Sequence, residues 1–200
     1  MPKHLIFYSS VAILLMCVFA VPSWAEIPEK LIYQPGQLKP TDSSLKVAVG
    51  ETAPDFSLPS ITGKKVQLSS FRGKKNVVLS FIPAAFTPVC SDQWPGYNIA
   101  KELFEQNDAV IIGISADNTP CQFAWTHQMD EKGVWFPVLS DFWPHGKVAK
   151  LYGILRTDGV TERAIFIIDK KGIIRYIDIH DINTHPELGK IIHSLKEINK

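Results

Sequence analysis

Apolar runs alternate along the chain with polar stretches of helical length, and this alternation predicts the order of the elements. The runs 77–82 and 109–115 are rich in β-branched residues and have the length of buried strands. Each is followed by a helix-compatible stretch, 90–106 and 118–132. The second stretch begins with Asn-Thr-Pro, a capping side chain followed by proline in the first turn. This order predicts two neighbouring parallel strands, each followed by a helix.

Shorter elements surround these four. In chain order they are an N-terminal β-hairpin of 55–58 and 66–68, an extended piece 134–139, a short helix 144–152, strands 164–169 and 173–179, and an amphipathic helix 186–198. The last two strands are joined by Asp-Lys-Lys-Gly, which is typical of a tight turn between antiparallel strands. The whole chain therefore predicts an α/β fold with a mixed central sheet flanked by helices.

The N-terminal residues differ in character from the rest. A basic start precedes an uncharged run, 5–21, and a Ser-Trp-Ala sequence ends at position 25. This pattern is typical of a secretory signal, so we predict a signal peptide at 1–25 and an exported, periplasmic or secreted protein. The alternative is an uncleaved membrane anchor, although the run is shorter than the roughly 20 residues that a span prefers. Residues 26–46 are then expected to form an extended linker or strap, and 47–200 the folded domain.

The charges of the chain nearly cancel, with 21 lysines and arginines against 20 aspartates and glutamates. Because the chain is neutral and has no long basic run, we expect no nucleic acid as a partner. Its 200 residues suit a single domain with a sizeable core. The histidines lack the compact spacing of metal ligands, so we expect no metal site.

Two cysteines remain outside the predicted signal peptide, Cys90 and Cys121, because Cys17 lies within it. An exported protein can join such a pair as one disulfide. Cys90 falls in the predicted first turn of its helix, where unpaired N–H groups and the helix dipole lower a thiol pKa and favour the thiolate. The predicted topology brings both cysteines to one edge of the sheet. If the strand after Arg163 is antiparallel, the guanidinium lies at that edge too.

The sequence Pro83-x-x-x-Thr87-x-x-Cys90 resembles the peroxidatic signature of the peroxiredoxins. Three further segments agree with this resemblance: 50–56, 140–146 and 163–169. The second contains Asp-Phe-Trp-Pro-His-Gly, which is similar to the alkyl hydroperoxide reductase E-type branch. The resemblance covers 47–198. It implies a thioredoxin-like fold and a thiol-dependent peroxidase of hydrogen peroxide and organic hydroperoxides, without cofactor or metal.

The resemblance also implies roles for the residues of the motif. Cys90 would attack the peroxide and become a sulfenic acid, while Arg163 would stabilise the thiolate and the departing oxygen. Thr87 would donate a hydrogen bond to one reaction partner and accept one from the other. Backbone N–H groups of Val89 and Cys90 would hold the peroxide in line. Pro83 would shield the sulfur from bulk water.

Cys121 is the candidate resolving cysteine, because it is the other thiol outside the signal segment and its helix start would also favour a thiolate. The alternative leaves Cys121 out of turnover and assigns reduction to an external thiol. The expected partners are a hydroperoxide, a thiol reductant that is thioredoxin-like or small, and a second copy of the chain, because many relatives are homodimers.

Two interpretations of neighbouring residues concern the site. Gln93 stands where the family often has glutamate. We expect this departure to tune the reactivity of the site more than to change the type of reaction. Three aromatic residues, Phe86, Trp94 and Trp125, either line an apolar substrate pocket or pack in the core. Packing is the favoured interpretation.

Other function classes use related folds. An exported thioredoxin-like thiol–disulfide oxidoreductase usually carries two cysteines separated by two residues, whereas Cys90 is followed by Ser-Asp-Gln and no near partner. A copper chaperone needs two close cysteines and a placed histidine, a spacing that is absent here. A redox chaperone or scaffold role stays open beside catalysis.

Overall fold

The computed structural model describes residues 27–200, so the predicted signal peptide, 1–25, lies outside the described part of the chain. Its strands and α-helices follow in the order β1 (Ser57–Pro59), β2 (Lys65–Gln67), β3 (Asn76–Phe81), α1 (Pro88–Ile99), α2 (Lys101–Glu105), β4 (Ala109–Ser115), α3 (Thr119–Met129), β5 (Val138–Ser140), α4 (Lys147–Tyr152), β6 (Arg163–Ile168), β7 (Ile174–His180) and α5 (Leu188–Ile198). Within 27–200, no helix is both long and apolar enough to cross a membrane.

Five strands form one mixed sheet in the order β5-β4-β3-β6-β7. The neighbours β3 and β4 are parallel, as are β4 and β5, whereas β6 runs antiparallel to both β3 and β7. The strands β1 and β2 form a separate antiparallel hairpin. The predicted α/β architecture with a mixed central sheet and an N-terminal hairpin is confirmed.

The central strand β3 is buried along its whole length and divides the core in two. Val77, Leu79 and Phe81 belong to one apolar cluster, whereas Val78 and the following Ile82 belong to the other. This division follows from the period of two along a strand, which points successive side chains to opposite faces. The first cluster also contains α4 residues, and the second contains residues of α1, α3 and α5. The sheet is therefore covered on both faces.

Several helix boundaries differ from the prediction, and two of the differences have a clear cause in the backbone. The expected continuous helix 90–106 is two helices, because Ala100 leaves the helical region with ψ 12° and separates α1 from α2. The helix expected from 144 begins only at Lys147, because Gly146 has the left-handed φ of +60°. The N–H groups at the start of this helix are capped from upstream by the Asp141 carboxylate, which accepts from Val148 and Ala149.

Candidate active site

The Pro83–Cys90 motif leads from β3 into the start of α1. Thr87 is the N-cap residue, with the extended φ and ψ of −108° and 153°, and Pro88 is the first helical residue. The first intrahelical bond at this end is donated by the Ser91 N–H to the Thr87 carbonyl at 2.9 Å. The N–H groups of Val89 and Cys90 precede that bond, so they have no partner within the helix. Cys90 thus lies in the first turn, as expected from the sequence.

Arg163 is the first residue of β6, and the antiparallel pairing of β6 with β3 brings it to the start of α1. Its Nη2 lies 3.4 Å from the Cys90 Sγ. Nε and Nη2 both donate to the Ile182 carbonyl, at 3.3 and 3.1 Å, and Nη1 donates to Gln93 Oε1 at 2.6 Å. The guanidinium is therefore held against the sulfur from two further sides, and the residue is only 2% exposed.

Gln93 connects the arginine to the buried interior of α1. While its Oε1 accepts from Arg163, its Nε2 donates to Ser80 Oγ and to the Tyr97 hydroxyl oxygen, each at 3.2 Å. Burial raises the pKa of Tyr97 above its usual value, and the hydrogen bond from Gln93 offsets this only in part, so the phenol stays protonated. A neutral glutamine can bond to donor and acceptor partners at once, which a carboxylate cannot.

Thr87 has a main-chain partner that the sequence did not predict. Its Oγ1 donates to the Ala84 carbonyl at 2.9 Å, which leaves the lone pairs of the same oxygen as acceptors and ties the hydroxyl to the loop before the helix. Thr87 and Pro83 both line a cavity of about 410 Å³ whose wall also includes Val89 and Arg163.

The sulfur of Cys90 is fully buried in this conformation. The residue belongs to the apolar cluster on the α1 face of the sheet, and this cluster covers the sulfur. The Arg163 side chain touches both the sulfur and the cavity. The approach from solvent therefore ends one side chain away from Sγ.

The three aromatic residues near the motif do not line this cavity. Trp94 and Trp125 are fully buried, with ring centroids 5.0 Å apart, and Phe86 packs against the same cluster. Trp94 Nε1 donates to Ser80 Oγ at 3.1 Å, so its polar edge is satisfied within the core. The interpretation that these residues pack in the core is confirmed.

Cys121 lies in the first turn of α3, where its N–H donates to the Asn118 Oδ1 at 2.9 Å. Both cysteines are free thiols in the structure. The expectation that the helix start favours a Cys121 thiolate is wrong, because burial and the charge of Asp117 raise its pKa. Helices α3 and α1 are in contact, since Trp125 Nε1 donates to Ser91 Oγ at 3.2 Å.

The histidines have separate partners. His180 lies 3.2 Å from Asp178, whereas His185 lies 3.4 Å from Asp92 on α1. Among residues 27–200, no group of three or more histidine, cysteine and carboxylate side chains is placed to hold a metal ion.

Sequence reasoning missed the main-chain partner of the arginine. The Ile182 carbonyl lies in the loop after β7 and accepts two hydrogen bonds from the guanidinium. A backbone acceptor leaves no trace in residue type, so no signal could have identified it. Ser80 and Tyr97 were missed too, although a polar serine inside an otherwise apolar strand is a signal for a buried hydrogen-bond partner.

Comparison with known proteins agrees with this geometry. The sequence profile described as "AhpC/TSA family" matches residues 49–177. Alkyl hydroperoxide reductase E of Mycobacterium tuberculosis is 39% identical over 132 residues, which are 66% of this chain and 84% of that protein. Peroxiredoxin-1 of Gallus gallus is 38% identical over 149 residues, 70% of this chain and 73% of that one.

A solved structure shares the fold. The reduced 2-Cys peroxiredoxin of Plasmodium vivax superposes with a TM-score of 0.71 and 26% identity, covering 77% of this chain and 83% of that chain. The expected thioredoxin-like fold is confirmed by this likeness. From the extent of the profile match and the identity to these relatives, the chain belongs to the AhpC/TSA family, the peroxiredoxins.

Proposed function

We propose that this protein is a thiol peroxidase that reduces hydroperoxides through Cys90. One observation carries the proposal: a buried guanidinium lies 3.4 Å from a cysteine sulfur in the first turn of a helix. A positive charge and a helix N-terminus both favour negative charge on sulfur, and the thiolate is the nucleophilic form. Family membership supports the same activity, since relatives are called peroxiredoxin and alkyl hydroperoxide reductase.

The first step is a displacement at oxygen. The Cys90 thiolate attacks the terminal oxygen of ROOH, the O–O bond breaks, and RO⁻ leaves and takes up a proton as ROH. The cysteine keeps the transferred oxygen and its proton as a sulfenic acid. Negative charge moves from sulfur to the leaving oxygen, so a donor that contacts both positions lowers the barrier. Arg163 contacts the sulfur through Nη2 and also lines the cavity, so its guanidinium is the group that can serve both positions.

Thr87 and Pro83 have supporting roles in this proposal. The Thr87 hydroxyl, whose proton is engaged by the Ala84 carbonyl, offers its lone pairs to the proton of the incoming peroxide. The free N–H groups of Val89 and Cys90 hold the peroxide oxygens in line with the sulfur. Pro83 forms an apolar wall of the cavity and excludes water from the reacting atoms.

We propose that Cys121 resolves the sulfenic acid. Its thiol condenses with the Cys90 sulfenic acid, a disulfide forms and water leaves; an external thiol then reduces the disulfide. The parallel pairing of β3 with β4 supports the proposal, because α1 and α3 follow these strands and so begin at the same edge of the sheet. Cys121 is half-buried, and its raised pKa keeps the thiol protonated in the reduced chain.

Peroxiredoxins generally use hydroperoxides and thiol reductants and form oligomers, and we propose a homodimer here. The adjacent Phe142 and Trp143 are 48% and 80% exposed and offer an apolar contact. Sedimentation of the purified protein and of Trp143→Ala tests this, and a monomeric wild type contradicts it.

We also propose that residues 1–25 direct export and are removed, on the strength of their basic start, apolar run and small-x-small ending. The physiological location is then the periplasm or the extracellular space. The mass of the N-terminal peptide from fractionated cells tests the proposal. A chain that keeps its first 25 residues contradicts cleavage and supports the anchored form.

Stopped-flow oxidation of the reduced protein tests the peroxidase proposal. We expect oxidation by hydrogen peroxide at least a hundredfold faster than that of free cysteine, since several aligned donors act together. Cys90→Ser abolishes the reaction, whereas the matched variant Cys121→Ser keeps the first step. Mass spectrometry of the same samples shows a Cys90–Cys121 disulfide in the wild type and a sulfinic acid in Cys121→Ser. Full oxidation rate in Cys90→Ser would refute the proposal.

A further inference from the structure

Within the predicted strap 26–46, residues 33–42 pass beside the cavity that Thr87 and Arg163 line, and from here the name strap means these ten residues. Its residues 33–38 form part of the cavity wall, together with Pro83 and Val89. The strap lies outside residues 49–177, the part of the chain that matches the family profile.

Hydrogen bonds fix the strap to the loop after β7. The Leu38 N–H donates to Asn183 Oδ1 at 3.0 Å, and Asn183 Nδ2 donates back to the Leu38 carbonyl at 2.9 Å. The Ile182 N–H donates to the Pro40 carbonyl at 3.2 Å. Asn183 is itself oriented by Asp181, which accepts from its N–H and its Nδ2. The strap is therefore paired with this loop over several residues.

Both ends of the strap are also tied down. The Tyr33 N–H donates to the carbonyl of Phe86, inside the peroxidatic motif, at 2.7 Å. The Asp42 N–H donates to Glu162 Oε1 at 2.6 Å, and the other oxygen of this buried carboxylate accepts from Arg156 at 2.8 Å. Because both ends and the middle have fixed partners, the strap is a wall of defined position.

One residue, Ile182, connects this wall to the proposed catalytic arginine. The N–H of Ile182 donates to the strap, while its carbonyl accepts two hydrogen bonds from Arg163. Glu162, which accepts a hydrogen bond from the far end of the strap, directly precedes Arg163, the first residue of β6. The wall and the guanidinium therefore share their supports, and the wall has a fixed position relative to the reacting atoms.

The size and lining of the cavity indicate its occupant. A volume of about 410 Å³ is in the range of sites for small organic molecules and far exceeds what hydrogen peroxide fills. Apolar side chains from both sides, among them Leu38, Pro83 and Val160, make up much of the wall. Arg163 is the one cation among the described wall residues, and its charge is balanced by the carboxylate of Asp158 in the same wall. An uncharged organic group fits this lining better than an anionic one.

We propose that the strap is a specificity wall, which binds the organic group of an uncharged hydroperoxide through Leu38 and Tyr33 and aligns its O–O bond with Cys90. The inference rests on the proposed peroxidase function and adds the residues that choose among its substrates. A second cavity of about 680 Å³ lies on the other side of this N-terminal segment against α1, but its wall contains neither Arg163 nor Thr87. The smaller cavity is therefore the substrate side.

Rates of Cys90 oxidation with two substrates test the wall. Cumene hydroperoxide and hydrogen peroxide are each mixed with reduced wild type, Leu38→Ala and Leu45→Ala, and the ratio of the two second-order rate constants is compared. We expect Leu38→Ala to lower the ratio of cumene hydroperoxide to hydrogen peroxide by about tenfold, the loss typical of removing apolar contact from a substrate pocket. Leu45→Ala is the matched control, because Leu45 is 43% exposed and does not line the cavity. We expect its ratio of rate constants to equal that of the wild type.

A second wall variant protects the test against misfolding. The Tyr33 side chain lines the same cavity but its residue is 71% exposed, so Tyr33→Ala leaves the fold intact and lowers the ratio in the same direction. Suppose that the wild type reacts fast with hydrogen peroxide, but that Leu38→Ala and Tyr33→Ala both have the same rate ratio as Leu45→Ala. This result overturns the strap inference and leaves the peroxidase proposal standing. Wild-type oxidation no faster than that of free cysteine overturns the peroxidase proposal and the strap inference together.

Discussion

Arg163 is the residue on which the site depends most. Its guanidinium makes four hydrogen bonds, two to the Ile182 carbonyl and one each to Gln93 and the Cys90 sulfur. A planar fork can serve all three partners at once, whereas an ammonium is a single point with rotating donors. The site therefore depends on the shape of the guanidinium as well as on its positive charge.

This geometry predicts that Arg163→Lys is not a conservative change. We expect the rate constant for oxidation by hydrogen peroxide to fall about a hundredfold, the usual cost of losing one preorganised donor to a developing oxyanion. Stopped-flow measurement checks this. The matched control is Arg175→Lys, because Arg175 is half-exposed and pairs with Asp169 alone. An unchanged rate in Arg163→Lys would show that charge alone suffices.

At this scale the sequence predicted the residues but not all of their contacts. Cys90 and Arg163 were found because the motif and strand order specify side chains of distinctive chemistry. The hydrogen bond of Thr87 to Ala84 and the raised pKa of Cys121 were not found. Both depend on three-dimensional surroundings, a carbonyl direction in one case and burial beside Asp117 in the other.

Helix α1 carries the reactive cysteine, and one close packing contact sets its height above the sheet. Gly113 of β4 lies beneath the Trp94 indole, and a Cβ at this position would come within 2.6 Å of the ring. Trp94 is fully buried and also packs at right angles on Phe136, with centroids 5.7 Å apart. The missing side chain of Gly113 is thus what admits the large ring.

We therefore expect Gly113→Ala to destabilise the fold by about 1–3 kcal/mol, the usual cost of overpacking a core. Urea unfolding followed by tryptophan fluorescence measures the change. The matched control is Gly189→Ala in α5, where an added Cβ meets nothing within 4 Å. That variant is expected to be neutral or stabilised by up to about 1 kcal/mol, since alanine favours the helix. Equal effects of the two variants would contradict the packing argument.

The types of the elements were predictable, whereas several of their ends were not. Strands β3 and β4 were recognisable from local apolar runs. The break at Ala100 and the start of α4 depend on context instead. In particular, the cap of α4 comes from Asp141, six residues before the helix, across a turn whose shape the local sequence does not specify. The position of the strap against the cavity depends on partners more than 100 residues away.

Across the whole molecule, carboxylates that serve as hydrogen-bond acceptors connect distant segments. Hydrogen bonds from Lys170 and Lys75 lower the pKa of Asp108. At Asp55, burial raises the pKa, but hydrogen bonds from Gln67 and Ser69 more than offset it, so that the net shift is downward. Each of these carboxylates stays ionised in the folded chain at a pH at which the unfolded chain takes up protons.

The direction of these shifts predicts sensitivity to acid. A lowered folded-state pKa gives stability that is complete above the unfolded value of about 4 and is lost as the pH falls below it, because the unfolded state then binds more protons. Asp141 acts the other way, since burial raises its pKa and protonation favours the folded state. The pKa values of Asp169 and Asp181 are lowered as well. We therefore expect the net free energy of unfolding to decrease as the pH falls from about 5 to about 3. Urea unfolding at both pH values measures the difference, and Asp55→Asn should show a smaller one. A free energy that is constant or rises on acidification would mean that Asp141 outweighs the surface carboxylates.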